Sequence, residues 1–218
     1  MIDICEISNA KENKEFVIEH LKKLKYHEDV DVYIDQTEKG FFGMRAAVSA
    51  LAKMLKPKIY LNVGIGKGYN MSLVAHRCNK VQIHGFDNWS HPKHTAVRND
   101  PRASIQYIKE ELEKFDYRGI VEIHSGDAMY TLPTFFKSRN EKRLINEYLL
   151  IDIDAEHTRQ AKMRDWSICA KHLAPGGYML TYGMEIANDV WESLQYLFPN
   201  YEYKIIDRLG IVHRPKEK

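Results

Sequence analysis

Ile59-Tyr-Leu-Asn-Val-Gly-Ile-Gly-Lys-Gly-Tyr-Asn70 is an apolar run that breaks into glycines at every second position. Ile59, Leu61 and Val63 alternate with Tyr60 and Asn62, a β-rich pattern, and Lys56-Pro57-Lys58 stops whatever precedes it. Gly64, Gly66 and Gly68 carry no Cβ, so the backbone can take positive φ and let a ligand lie against main-chain N–H groups. Met71, Val74 and Ala75 then predict a helix from near Tyr69 to about Cys78. The stretch reads as strand, ligand-binding turn, helix.

Spacing narrows the ligand. A dinucleotide turn needs a third glycine three residues after the second, and that position is Tyr69. A phosphate loop needs Ser or Thr after Gly66-Lys67, and Gly68 stands there. Working downstream, Val81–Phe86 predicts a second strand that delivers Asp87 at its C-terminal end. A carboxylate at that tip can accept hydrogen bonds from both ribose hydroxyls of an adenosine lying across the glycine turn; the alternative is a surface Asp closing a strand. Asn88-Trp89 follows, and the indole either covers the adenine face or roofs the core. Ser90–Asp100 is polar and reads as a long loop, in which His91 and His94 are expected to be solvated rather than metal ligands.

A helix over Ala103–Phe115 and a third strand over Ile120–His124 come next, closed by Ser125-Gly126-Asp127-Ala128. Asp127 either meets an adenine amino group, with Ala128 leaving room for the ring, or caps the next helix. Residues 137–147, including Arg139, Lys142 and Arg143, read as a solvated connection. Tyr148–Ile153 is the most apolar strand candidate and runs into Asp154-Ala155-Glu156-His157, where a proton acceptor for a substrate hydroxyl would sit at the ligand-binding edge of a parallel sheet. For Asp154 a helix N-cap is the simpler alternative. A helix over Thr158–Leu173, ended by Ala174-Pro175-Gly176-Gly177, and a fifth strand over Tyr178–Tyr182 follow. Asp189–Phe198 then reads as a helix, and Tyr201–Ile206 and Leu209–His213 as strands. Upstream, residues 9–25 predict a helix with Asn9 and Glu12 as a capping box, and Phe42–Leu55 a second helix.

The 218 residues suit one ordinary domain, and the net charge of +2 selects neither nucleic acid nor an anionic membrane. Cys5, Cys78 and Cys169 lack the spacing of a disulfide framework or zinc site. With charges in place of an apolar leader and no run of membrane-spanning length, the reading is a soluble cytoplasmic protein.

Taken together, Gly64-Ile-Gly-Lys-Gly68, Phe86-Asp87-Asn88-Trp89, Ile153-Asp154-Ala-Glu-His157-Thr158, Asp165-Trp166 and Leu173-Ala-Pro-Gly-Gly177 occur in the order and spacing of class I S-adenosylmethionine-dependent methyltransferases. Over about residues 40–185 the chain resembles the bacterial small-molecule O-methyltransferases that include macrolide-sugar methyltransferases. The resemblance implies an α/β fold with a doubly wound, mostly parallel seven-stranded Rossmann-like sheet whose last strand is antiparallel. It implies S-adenosylmethionine as cofactor, held by Gly64, Gly66, Gly68, Asp87 and Asp127 with Asn62, Asn88, Trp89 and Ala128 beside them, and a catalytic pair, His157 and Asp154, at the acceptor. The expected layout is a helical extension, residues 1–39, ahead of a methyltransferase domain, residues 40–218. The expected reaction is methylation of a hydroxyl on a sugar or natural-product intermediate; the alternative is a catalytically degraded binding or scaffold protein. A membrane is not expected as partner, nucleic acid is disfavoured, and self-association into a homo-oligomer stays open.

Two positions depart from the resemblance. The family often carries an acid where this chain has Asn62, a group that helps hold the cofactor's methionine ammonium. Its metal-dependent members carry His-Asp at the end of the fifth strand, where Tyr182-Gly183 stands here, so no metal is expected.

Overall fold

The computed structural model describes residues 1–24, 33, 35, 43–90, 100–155, 158–184 and 188–216. The central run forms strand β1 (Ile59–Val63), buried along its whole length. Around it lie β2 (Gln82–Asp87), β3 (Val121–Ser125), β4 (Tyr148–Ile153), β5 (Leu173–Tyr182), β6 (Glu202–Ile206) and β7 (Leu209–His213). They make one seven-stranded sheet in the order β3-β2-β1-β4-β5-β7-β6. Strands β1 to β5 pair in parallel, and β7 runs antiparallel to both β5 and β6. The expected sheet, with its antiparallel last strand, is the one observed.

Helices cover both faces, as buried parallel strands require. One face packs α3 (Met44–Leu55), α4 (Tyr69–Arg77) and α5 (Pro101–Glu113) over Tyr60, Leu150 and Leu180, with Ile4 of α1 (Ile4–Asn9) joining them. The other packs α6 (Ala128–Glu141), α7 (Arg159–Lys171) and α8 (Asn188–Leu197) over Leu61, Val63, Ile151 and Met179. The period-two alternation of β1 thus sends Tyr60 to one core and Leu61 and Val63 to the other.

Three readings are corrected. The helix expected over 9–25 is α2 (Lys11–Lys23), and a separate helix α1, capped by Asp3, precedes it and takes in Asn9, because the chain turns out of helical geometry at Ala10. Asn9 therefore ends a helix instead of starting one. The connection expected over 137–147 is helical through Glu141, and Arg139 is buried with its guanidinium donating twice to the Ile145 carbonyl. Strand β5 starts at Leu173, pairing with Tyr148 before a register shift, so Pro175 falls in an irregular stretch where a missing N–H is tolerated. The stretches at 25–32, 91–99, 156–157 and 185–187 lie outside the described residues, and with them His91, His94 and His157.

Candidate active site

The sheet order reverses between β1 and β4, and a crevice outside the carboxyl ends of the strands at such a switch point is where open α/β sheets bind ligands. The strand tips here are joined beyond the strands themselves. Gly126 N–H donates to the Asp87 carbonyl (2.9 Å), Gly64 N–H to the Phe86 carbonyl (2.8 Å) and Asp154 N–H to the Val63 carbonyl (2.8 Å). These bonds hold the ends of β3, β2, β1 and β4 in one row, which brings Asp127, Asp87, the glycine turn and Asp154 to the same edge.

Each glycine of the turn is in the left-handed region, with φ of 87°, 55° and 80° at Gly64, Gly66 and Gly68. A Cβ on Gly64 would overlap the Asp154 carbonyl, and one on Gly68 the Ile108 side chain. Gly66 N–H donates to Asp87 Oδ2 at 2.8 Å, and Trp89 N–H to Asp87 Oδ1 at 2.7 Å. Asp87 thus pins the turn as well as closing β2. Gly68 caps α4, whose N-terminus opens on the same edge.

The remaining predicted residues divide. Asn88 is exposed, with its Oδ1 accepting from the Ser90 N–H and hydroxyl. Trp89 is only 4% exposed, with φ of 56°, and its indole N–H donates to Ser125 Oγ at 2.9 Å. Its ring belongs to the core cluster that includes Ile65 and Ile108. Asp127 caps α6 through Met129 N–H (2.7 Å) and lies 3.7 Å from the Arg164 guanidinium, with Ala128 the first residue of that helix. Asp154 is exposed and is not a cap, because Thr158 fills that place on α7 by accepting from Ala161 N–H.

Asn62 is 1% exposed and donates from Nδ2 to Asp152 Oδ2 at 3.0 Å. Asp152 is itself fully buried; Asn70 donates to its Oδ2 at 2.7 Å and the Tyr60 hydroxyl to its Oδ1. Burial pushes its carboxyl up to about 7, the three hydrogen bonds pulling the other way and the Asp154 charge adding to the rise. The sequence reading gave neither Asp152 nor Asn70 a part in the cofactor site; the available signal was a carboxylate inside the otherwise apolar Tyr148–Ile153 run. It also passed over Lys162, 4% exposed, whose ammonium donates to the Tyr182 carbonyl at the tip of β5 (2.7 Å). Beyond it Gly183, with φ of 83°, donates its N–H to the Arg208 carbonyl. Among the described residues no group of three or more His, Cys, Asp or Glu side chains is placed to hold a metal ion, and no helix is long and apolar enough to cross a membrane.

A family model described as a methyltransferase domain matches residues 61–181, which run from β1 to β5 and contain all four joined strand tips. The chain belongs to this methyltransferase family. Solved structures share the fold of this methyltransferase at low identity. Podospora anserina methyltransferase PaMTH1, with S-adenosylhomocysteine bound, is 17% identical over 93% of this chain and 88% of its own, with a TM-score of 0.56. TomG of Streptomyces achromogenes, an O-methyltransferase of tomaymycin synthesis in complex with S-adenosylmethionine, is 12% identical over 88% and 92%, with a TM-score of 0.59. CalS11, the TDP-rhamnose 3′-O-methyltransferase of calicheamicin biosynthesis, is 11% identical over 93% and 93%, with a TM-score of 0.55. No curated protein matches the chain. The cofactor of the methyltransferase is S-adenosylmethionine, and the residues at the edge fit it: a turn in which neighbouring atoms fill the Cβ positions of Gly64 and Gly68, a helix N-terminus, and buried acceptor atoms on Asn62 and Asn70 without donors among the described residues.

Proposed function

We propose that the protein transfers a methyl group from S-adenosylmethionine to a hydroxyl oxygen of a small molecule, a sugar or natural-product intermediate. The observation carrying this reading is the row of joined strand tips, which sets Asp154 beside the glycine turn at the switch point. The near-balanced charge, the exposed carboxylate at the acceptor side and the likeness in fold to O-methyltransferases of natural-product pathways support a small hydroxylated acceptor over nucleic acid. The bound cofactor supplies a methyl group activated by its sulfonium. The protein's own residues then have three tasks: Gly64, Gly66 and Gly68 let the backbone approach, Asp87 and Asp127 take the ribose and adenine polar groups, with Asn88 and Ala128 flanking them, and His157 accepts the acceptor's hydroxyl proton while Asp154 orients it. The division into a helical extension, residues 1–39, and a catalytic domain, residues 40–218, belongs to the same proposal.

Gly183 has no side chain to offer a cation at the end of β5, so deprotonation is assigned to His157 and not to a divalent ion. The test is calorimetry with S-adenosylmethionine and S-adenosylhomocysteine, followed by turnover on a panel of hydroxylated acceptors. Turnover is expected to persist in excess chelator, and His157→Ala to lose far more rate than cofactor affinity. Absence of cofactor binding at millimolar ligand sinks the reading, and activity lost in chelator and restored by magnesium sinks the role of His157.

A further inference from the structure

Among the described residues, Asp152 is a buried carboxylate whose hydrogen-bond partners are all neutral. Its three donors are the Tyr60 hydroxyl and the amide groups of Asn62 and Asn70, and the one charged group among the described residues that bears on it, Asp154, has the same sign. Removing an anion from water with no counter-ion is costly, and three neutral hydrogen bonds offset that cost only in part. The two amides have turned their N–H₂ groups to the carboxylate, which fixes their orientation, because an ionised carboxylate only accepts. Their Oδ1 atoms consequently point elsewhere, and both are buried without a donor among the described residues. Two unfilled carbonyl acceptors in front of an uncompensated anion are complementary to a cation that carries several N–H donors.

Position says which cation. Asn62 lies two residues before Gly64 and Asn70 two residues after Gly68, so the amides bracket the cofactor turn, with Asp152 behind them on β4 in register with Asn62. Resting on the cofactor reading above, we infer that Asp152, acting through Asn62 and Asn70, is the charge partner of the α-ammonium of S-adenosylmethionine. The negative charge that related methyltransferases often place at position 62 is in this chain carried by the neighbouring strand. Asn62 transmits it as a dipole, with its N–H₂ toward the carboxylate and its carbonyl oxygen toward the ligand.

Two probes separate this arm of the cofactor from the rest: S-adenosylhomocysteine, which has the ammonium, and 5′-methylthioadenosine, which keeps the nucleoside and sulfur but lacks the amino-acid arm. Calorimetry on the full chain should show Asp152→Asn binding S-adenosylhomocysteine at least about tenfold more weakly with 5′-methylthioadenosine unchanged, and Asn62→Asp added to that variant should restore most of the loss. Equal weakening of both ligands, or of neither, overturns the inference. Should Asp152→Asn fail to fold, the half-buried Asn70→Ala decides: a several-fold loss confined to S-adenosylhomocysteine supports the assignment, and an unchanged or shared effect overturns it. Failure of the wild-type chain to bind either ligand instead removes the cofactor reading beneath it.

Discussion

Asp87 spends both carboxylate oxygens on backbone N–H groups, one from the middle of the glycine turn and one from Trp89, and each oxygen keeps lone-pair capacity for a ligand hydroxyl. Its removal therefore loosens the turn and, on the proposed function, deletes the ribose acceptor as well. Asp87→Ala is expected to weaken S-adenosylmethionine binding by about 1–3 kcal/mol with the fold retained, as measured by calorimetry and circular dichroism. Unchanged affinity would mean that Asp87 only closes its strand. Asp152 behaves differently because its partner is absent from the free protein. With its carboxyl raised to about 7, the group contributes stability that is complete below the unfolded value near 4 and is lost as pH rises through 7. Binding of a cation has the opposite dependence, since it needs the ionised carboxylate. Affinity for S-adenosylhomocysteine is thus expected to climb between about pH 6 and 8, above most of the pH 4 to 7 window in which unliganded stability falls, and Asp152→Asn should flatten both profiles.

The glycine turn works as an element because its ends are tied to different layers. Gly64 backs onto the Asp154 carbonyl at the tip of β4, Gly68 onto Ile108 of α5, and Gly66 onto Asp87 of β2. A side chain at Gly64 must both hold a left-handed backbone and displace the β4 tip, which has no soft route of relief. Gly64→Ala is expected to cost about 2–3 kcal/mol in urea unfolding and to weaken cofactor binding; a stability loss below about 1 kcal/mol would show that the tips can separate. Helix α4, which continues from the turn, is held from its outer side by α2. Val17 and Leu21 pack on Tyr69 and Leu73, and His20 Nε2 lies 2.9 Å from the Ser72 hydroxyl while its Nδ1 meets His76 at 3.0 Å. Burial keeps His20 neutral far below the usual histidine range, with His76, Lys23 and Arg77 adding to the effect.

At the scale of the molecule, the N-terminal helices are part of the core and not a loose appendage. Ile4, Val17 and Leu21 are fully buried, and Asn13 bridges the Ser8 and Ala46 carbonyls with its amide while receiving Arg77 on its oxygen. Each such aliphatic side chain is worth about 1.5–3 kcal/mol when buried. Deleting residues 1–24 is expected to lower Tm by more than about 10 °C and, because α2 supports α4, to weaken S-adenosylmethionine binding as well. A truncated chain with wild-type Tm would make the extension dispensable. Residue order alone determined the strand, turn and helix around residues 59–77, the seven strands, and the carboxylates that end β2, β3 and β4. Those features rest on local periodicity and on the rule that a parallel sheet gathers its strand ends at one edge. Local periodicity did not carry the start of α2 at Lys11 or the continuation of α6 to Glu141, because a non-helical backbone at Ala10 sets the first and a helix that buries Arg139 the second. Only the tertiary structure decided that Trp89 turns into the core, that Lys162 reaches the Tyr182 carbonyl, and that Asn62 faces Asp152 across the β1–β4 register. Asn62 and Asp152 are far apart in the chain, so their meeting depends on which strands pair and in what register, and no local pattern encodes the burial that makes a carboxylate at that place wait for a cation.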